Sequence, residues 1–478
     1  MTMTGKTLSS LFAHVRAVRR ARMLLLPGLL AVASCHGVRN GTSATFSFVT
    51  KPCAPALAEA AAHCGTVSVP ENHSLPDGRH IDLNVIVFAS LEPAPQKGAQ
   101  FDLEGGPGFA VTESADFYAG DGAAYRRFRD VVLVDMRGTG ASNPLRCAAI
   151  ETNAKADPAA PLYPPDLVAT CAAALSANAD LRQYTTAAAA RDLDAVRAAL
   201  GYDRIDLNAL SYGTTLALRY IADYPQRVRT AVMTGTVSAD RTPPRHHATA
   251  GARGLQLLLD ACRRDAQCAE RFPHLSADLD QAAARLDQQA RDLFLERLRT
   301  QLYLPATARR VPLQIHSAAL SDPRPSEAAT RPFADGLYLS ITCSESMARM
   351  DVEQAIAEAR TTVFGAYRLQ RQRDACAHWP AAASDPRLFD QPQSDVPVLF
   401  ISGAFDPVTP PDWTAQVAAK FPRSTQIVVP HGGHVLEGMS GMDTCLDAII
   451  LQFVADRSAA AIDRSCVASM SAGPFVLQ

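Results

Sequence analysis

The stretch Ile205-Asp-Leu-Asn-Ala-Leu-Ser-Tyr-Gly-Thr-Thr-Leu-Ala-Leu-Arg-Tyr220 decides the reading of this chain. Ile205 to Leu210 reads as a short buried strand. A helical pattern follows with no linker, and Leu216, Leu218, Tyr220 and Ile221 are its expected core contacts. Ser211 therefore falls on an abrupt strand-to-helix turn. Such a turn pushes the hydroxyl out of the sheet and aims the following N–H groups at whatever the serine meets. The pattern is Ala209-x-Ser211-x-Gly213, with alanine where glycine is usual; the position needs a small side chain for close packing. The plain alternative is a serine capping an ordinary helix.

Strand and helix alternate on both sides of this turn. His80 to Ser90 alternates apolar and polar residues, as a half-buried strand does. Ala99 to Leu103 is a shorter strand that runs into Gly105-Gly-Pro-Gly108. Asp130 to Asp135 is a buried strand ending in Met136-Arg-Gly-Thr-Gly140, and Val228 to Thr234 is another. Thr186 to Leu200 is an amphipathic helix stopped by Gly201. The rhythm returns at Val396 to Ile401 and Gln426 to Val429, before a helix from about Asp443 to Val454. Alternation of this kind implies a mostly parallel sheet flanked by helices. Residues 241–390 break it with Ala, Arg, Asp and Gln at helical spacing. The expected organisation is a sheet domain over 61–240 and 391–478, interrupted by a mainly helical cap over 241–390.

A serine hydroxyl is a weak nucleophile near neutral pH and needs a base, itself held by a carboxylate. In this topology the acid and then the histidine should follow later strands. Asp406 follows strand 396–401, and His434 follows strand 426–429 in Pro430-His-Gly-Gly-His-Val435. Asp406 could instead serve as an Asx-turn residue before Pro407. His431 competes as the base, but Gly432 and Gly433 let the loop swing His434 inward. Negative charge developing on a substrate oxygen needs donors. The N–H groups of Tyr212 and Gly106 are the candidates, with Gly108 in reserve, because Pro107 has none. Arg137 is expected to be structural, buttressing the glycine loop.

Composition bounds the rest. The 478 residues carry 46 basic and 48 acidic side chains, and 47% are hydrophobic. Five of the basic residues fall within 1–34, which has no acid; the remainder balances at 41 to 48, a net charge of −7. That is no basis for nucleic-acid binding. The basic cluster precedes Met23-Leu-Leu-Leu-Pro-Gly-Leu-Leu-Ala-Val-Ala-Ser-Cys35, which reads as a secretory signal over 1–35. Val32-Ala-Ser-Cys35 resembles a bacterial lipobox, so Cys35 is a candidate for lipidation and membrane anchoring; the alternative is a plain cut near Ala33 or Ser34. Residues 36–60 read as a leader to the folded body. Ten of the 11 cysteines remain. Sequential pairing would join Cys53 with Cys64, Cys147 with Cys171, Cys262 with Cys268, Cys343 with Cys376, and Cys445 with Cys466. Spacing does not prove that connectivity, but it suits an oxidising compartment, such as the periplasm, cell envelope or exterior. No repeated C-x₂-C spacing points to a metal.

The combined motifs L-E-G-G-P-G, V-D-M-R-G-T-G-A-S, L-S-Y-G-T-T-L-A-L-R-Y, G-A-F-D-P-V-T-P-P and H-G-G-H resemble the α/β-hydrolase peptidases. These include proline iminopeptidases and the secreted tripeptidyl aminopeptidases with a TAP-like C-terminal region. The resemblance covers about residues 60–460. It departs at Ala209 and at Glu104, which stands where the family has histidine before G-G-P-G. The resemblance implies an α/β-hydrolase fold, no cofactor, and removal of residues from a free peptide N-terminus, with cap carboxylates reading the α-ammonium. Leu337 to Ser346 resembles a cap segment carrying Cys-x-Glu, which makes Glu345 the candidate amine reader; the alternative is a solvated or salt-bridged glutamate. Hydrolysis of small esters on the same machinery, or a non-catalytic binding protein on the same scaffold, are the competing functions.

Overall fold

The computed structural model describes residues 46–93, 98–157, 159–241, 243–321 and 332–478. The signal stretch and Cys35 lie outside the described residues. Among those described, nine strands form one sheet: β1 (Phe48–Lys51), β2 (Ala62–Pro70), β3 (His80–Phe88), β4 (Ala99–Leu103), β5 (Asp130–Val134), β6 (Ile205–Leu210), β7 (Val228–Thr234), β8 (Val398–Gly403) and β9 (Ser424–Val429). Their order across the sheet is β1-β2-β3-β5-β4-β6-β7-β8-β9. The first three strands run antiparallel, and β3 meets β5 antiparallel. From β5 to β9 every pairing is parallel.

Burial explains why these segments are strands. The residues of β4, β8 and most of β5 are buried throughout, as expected of strands covered on both faces. The helices Thr186–Ala199 and Tyr212–Asp223 cover one face with Leu193, Val196, Leu216 and Ile221. The helix Asp447–Asp456 covers the other with Ile449, Ile450 and Phe453. The first of these helices is capped by Thr185, whose side chain accepts from Ala188 N–H at 3.2 Å.

Two edge features differ from the sequence expectation. Part of the stretch read as a leader is folded: β1 pairs with β2, and Cys53 is bonded to Cys64. An edge strand that is mostly exposed carries little apolar signal, so periodicity missed it. β2 was missed as well, its polar start and Gly65 obscuring the pattern. Between β7 and β8 the described residues hold helices and turns and no strand. These helices pack on their own apolar cluster, which includes Leu255, Leu258, Leu298, Ile315 and Ile356.

The structure also supplies the cysteine connectivity that spacing left open. Besides the Cys53 bridge, Cys147 is bonded to Cys171, Cys262 to Cys268, Cys343 to Cys376, and Cys445 to Cys466. Every pair is therefore sequential. Cys171 lies in the helix Pro165–Ser176 and ties it to the N-cap of the helix Ala148–Ala156 at Cys147. Cys268, in the short helix Ala266–Arg271, closes the turn after the helix His247–Arg264. Cys466 pins the C-terminal turn Ser465–Ser469 to the segment that leads into the helix Asp447–Asp456.

Candidate active site

The carboxyl ends of the parallel strands converge where the chain leaves β4 for β5 on one side and β6 arrives on the other. Such a reversal of strand order opens a crevice. Ser211, after β6, has φ 55° and ψ −121°, a conformation that costs a non-glycine residue about 1–3 kcal/mol. Hydrogen bonds hold it there: Ser211 N–H donates to Thr234 O at 2.9 Å, and Thr214 Oγ1 donates to Ser211 O at 2.6 Å. Gly213 permits the turn, because a Cβ on it would stand 2.1 Å from Leu103 O. Ala209 is itself buried, paired with Leu103 of the adjacent strand, where a methyl group is accommodated.

Ser211 Oγ lies 2.8 Å from His434 Nε2, and His434 Nδ1 lies 2.9 Å from Asp406 Oδ2. His434 is 3% exposed and Asp406 is fully buried. The Asx-turn alternative for Asp406 is realised together with the contact to histidine: its Oδ1 accepts from Val408 N–H at 2.7 Å and Thr409 N–H at 2.8 Å. Thr409 Oγ1 donates to Oδ2 at 2.8 Å and stands 3.2 Å from His434 Nδ1. Burial alone would raise the Asp406 carboxyl; the His434 ring and these N–H groups outweigh it and hold it below the usual carboxylate range. His431 sits on the loop with φ 56°, its ring against Phe405 at 5.1 Å. Thr409 escaped the sequence reading, although a threonine three residues after an aspartate is itself a turn signal.

The loop after β4 lies beside the serine. A Cβ on Gly105 would approach Ser211 Cβ to 3.0 Å. Gly105 N–H donates to Glu104 Oε1 at 3.0 Å, so the candidate donor of this loop stays at Gly106. Gly106 has φ 112°, which side-chain-bearing residues rarely adopt. Arg137 is fully buried, but its partners are not the glycine loop. It grips Asp192 at 2.6 and 2.7 Å and donates to Glu71 O and Gln183 O, tying the end of β2 to the helix Thr186–Ala199.

Ser211 and His434 open into a cavity of about 1470 Å³ whose wall also includes Gly106, Tyr212, Glu345 and Phe333. Glu345 lies on a π-helical turn, Thr342–Ser346, that continues the helix Asp335–Ile341. It is 6% exposed and forms no ion pair among the described residues. Its oxygens accept from Thr186 N–H at 2.7 Å and from Thr186 Oγ1 at 2.6 Å. The same Oγ1 lies 2.6 Å from the hydroxyl of Tyr212, the residue beside the serine. Burial pushes the Glu345 carboxyl up to about 7, with the Thr186 bonds opposing. No cluster of metal-ligating side chains occurs among the described residues, and none of their helices is long and apolar enough to cross a membrane.

Known proteins match this chain in part. The serine protease Hip1 of Mycobacterium tuberculosis is 31% identical over 199 residues, 38% of this chain and 37% of that protein. The tripeptidyl aminopeptidase of Streptomyces lividans is 31% identical over 196 residues, 37% and 36% of the two chains. The chain thus spans little more than a third of the length of these relatives. The putative hydrolase YuaR of Escherichia coli is 24% identical over 433 residues, 81% of this chain and 85% of that one. Among solved structures, the proline iminopeptidase of Mycobacterium smegmatis covers 83% of this chain at 17% identity with a TM-score of 0.37. Residues 103–436, from the end of β4 to just past His434, match the alpha/beta hydrolase fold family, and the chain belongs to that family.

Proposed function

We propose that this chain is an exported serine hydrolase, an aminopeptidase that releases residues or short peptides from free peptide N-termini through an acyl-enzyme. The observation that carries the reading is the unbroken contact from Ser211 through His434 to Asp406, at 2.8 and 2.9 Å, opening on a cavity that also holds a buried carboxyl without an ion-pair partner among the described residues, Glu345. In this reading His434 takes the Ser211 proton as Oγ attacks the scissile carbonyl carbon. Asp406 orients the ring and steadies the imidazolium, with Thr409 holding Asp406. The N–H groups of Tyr212 and Gly106 receive the oxyanion. The imidazolium then protonates the leaving amine, and a water activated by His434 releases the acyl group. No cofactor enters these steps.

Glu345 receives the substrate ammonium. An arriving cation favours the ionised carboxylate, so binding would draw its proton off near neutral pH. The relatives named as a serine protease and a tripeptidyl aminopeptidase support a peptide substrate. The helices between β7 and β8 act as the cap. Five disulfides support an oxidising compartment. The lipid anchor at Cys35 belongs to the same proposal and rests on sequence; labelled palmitate should enter the mature protein and be lost in C35S.

Hydrolysis of small esters is the second reading, favoured by the aromatic part of the cavity wall at Phe109, Phe117 and Phe333. Chromogenic aminoacyl, dipeptidyl and tripeptidyl substrates, each free and N-acetylated, separate the two when assayed beside short-chain esters. The aminopeptidase predicts cleavage of the free peptides and poor cleavage of the acetylated ones. Equal rates on both would remove the amine-reading role of Glu345.

A further inference from the structure

The cavity wall that holds Ser211 and His434 also carries Arg299, Arg368, Tyr303, Tyr338 and His247. Arg299, from the helix Gln288–Gln301, donates Nε and Nη2 to Glu296 at 3.0 and 2.7 Å and Nη1 to the Tyr303 hydroxyl at 3.1 Å. Arg368, from the helix Tyr367–Cys376, shares Glu296 through Nη1 at 3.2 Å and reaches the Tyr338 hydroxyl through Nη2 at 3.3 Å. Two guanidinium groups thus stand against one carboxylate, which leaves one positive charge in excess. Both arginines line the cavity and Glu296 does not, with Arg368 the more open of the two at 22% exposure and Arg299 almost wholly buried.

Hydrogen bonding is incomplete in the same place. A guanidinium offers five N–H donors. Among the described residues the buried Nε of Arg368 has no partner, although 22% of its side chain remains exposed. Nδ1 of His247 has none among them either, and that residue is only 8% exposed. Burial, with Arg299 and Arg368 nearby, pushes the His247 ring well below its ordinary value, so it offers hydrogen bonding without charge. Buried polar atoms are nearly always partnered, so two orphans on residues of one cavity wall mark a place where polar groups are left short. The cluster begins one side chain from the base: the Tyr303 ring lies 5.4 Å from the His434 ring and 5.6 Å from Arg299 Cζ.

We propose that Arg368, with Arg299 and His247, forms an anion subsite for a substrate carboxylate, either an acidic side chain or the free C-terminus of a short peptide. The planar guanidinium fork suits a carboxylate, and an excess of one charge suits a monoanion. The proposal rests on the peptidase reading for the identity of the substrate. With Glu345, it gives the cavity a receptor for each charge of a zwitterionic peptide. The disulfide between Cys343 and Cys376 links the segment carrying Glu345 to the helix carrying Arg368, which holds the two receptors to one frame.

The test is calorimetric binding to S211A protein of three peptides with free N-termini: Ala-Ala-Gln amide, Ala-Ala-Glu amide and Ala-Ala-Gln acid. At least one carboxylate-bearing peptide should bind about tenfold tighter than the neutral one, and which one gains identifies the source of the carboxylate. In the R368Q background the gap should close to about twofold or less, and R368K should retain part of it. If R368Q does not fold, R368K carries the comparison, because loss of the fork must narrow the gap. Equal binding of all three peptides overturns the subsite, as does a gap that survives both substitutions. Turnover of the free aminoacyl, dipeptidyl and tripeptidyl chromogenic substrates by the unaltered enzyme tests the peptidase reading separately. Carboxylate-selective binding without cleavage sinks that reading and leaves the subsite standing.

Discussion

The two sides of the cavity differ in how completely their polar groups are satisfied. On the sheet side, Asp406 accepts from two backbone N–H groups, a threonine hydroxyl and the His434 ring, and its carboxyl is held low. On the side of the helices between β7 and β8, Glu345 has only Thr186 as a hydrogen-bond partner among the described residues and its carboxyl is raised, while Arg368 and His247 keep buried nitrogens without partners among those residues. Groups proposed to hold one geometry through a reaction are fully partnered. Groups proposed to meet a ligand are left short of partners.

Substitutions on the two sides should therefore fail in different ways. The largest effect is expected at Ser211: S211A should lower kcat by about 10⁴-fold or more while the protein stays folded, since its hydroxyl makes no contact needed for the turn. Full activity in folded S211A protein would falsify the assignment. Next, E345Q should raise KM for free-amine peptides roughly 10- to 100-fold, with far smaller losses on N-acetylated peptides. A fall in kcat alone would place Glu345 on the sheet side of the comparison. T409V removes one donor to Asp406 and should lower kcat roughly tenfold with KM little changed. An effect on KM alone would argue that Thr409 meets substrate and does not position Asp406.

The smallest effect is one of stability, and its sign distinguishes the two carboxyls. Asp406 lies below its ordinary value in the fold, so its contribution is present above the unfolded pKa and is lost only as acid protonates it. Glu345 is raised from 4.5 to about 7, so the folded protein holds that proton more tightly than the unfolded chain. Stability should then decline as pH rises from 4.5 to 7, by at most about 3 kcal/mol at the upper end. Thermal melts should show E345Q no more stable than the parent at pH 4 and more stable at pH 8. Parallel curves across that range would contradict the raised carboxyl.

Much of the fold was legible because buried parallel strands are short apolar runs with abrupt ends. Ile205–Leu210 and Val228–Thr234 have the bounds read from sequence, and Asp406 and His434, which lie in one line of contacts with Ser211, were picked out by looking just past such runs. The edge strand β1 and its antiparallel neighbour β2 were missed because both mix polar and apolar residues. Arg137 was read as buttressing the glycine loop, yet it binds Asp192 and the end of β2, 55 and 66 residues away from it in sequence.

The sequence by itself determined the strand–helix rhythm, the turn at Ser211, the order of acid and histidine, and the cysteines available for pairing. These are local properties: periodicity, small residues at tight turns, and position after a strand. Only the tertiary structure decided which cysteines meet, that Thr186 holds Glu345 beside Tyr212, and that Arg299, Arg368 and His247 share one wall. Those three residues come from helices far apart in the chain, and each alone is an ordinary polar side chain. Their meaning arises from burial and from which partners are missing, and neither exists until the chain is folded.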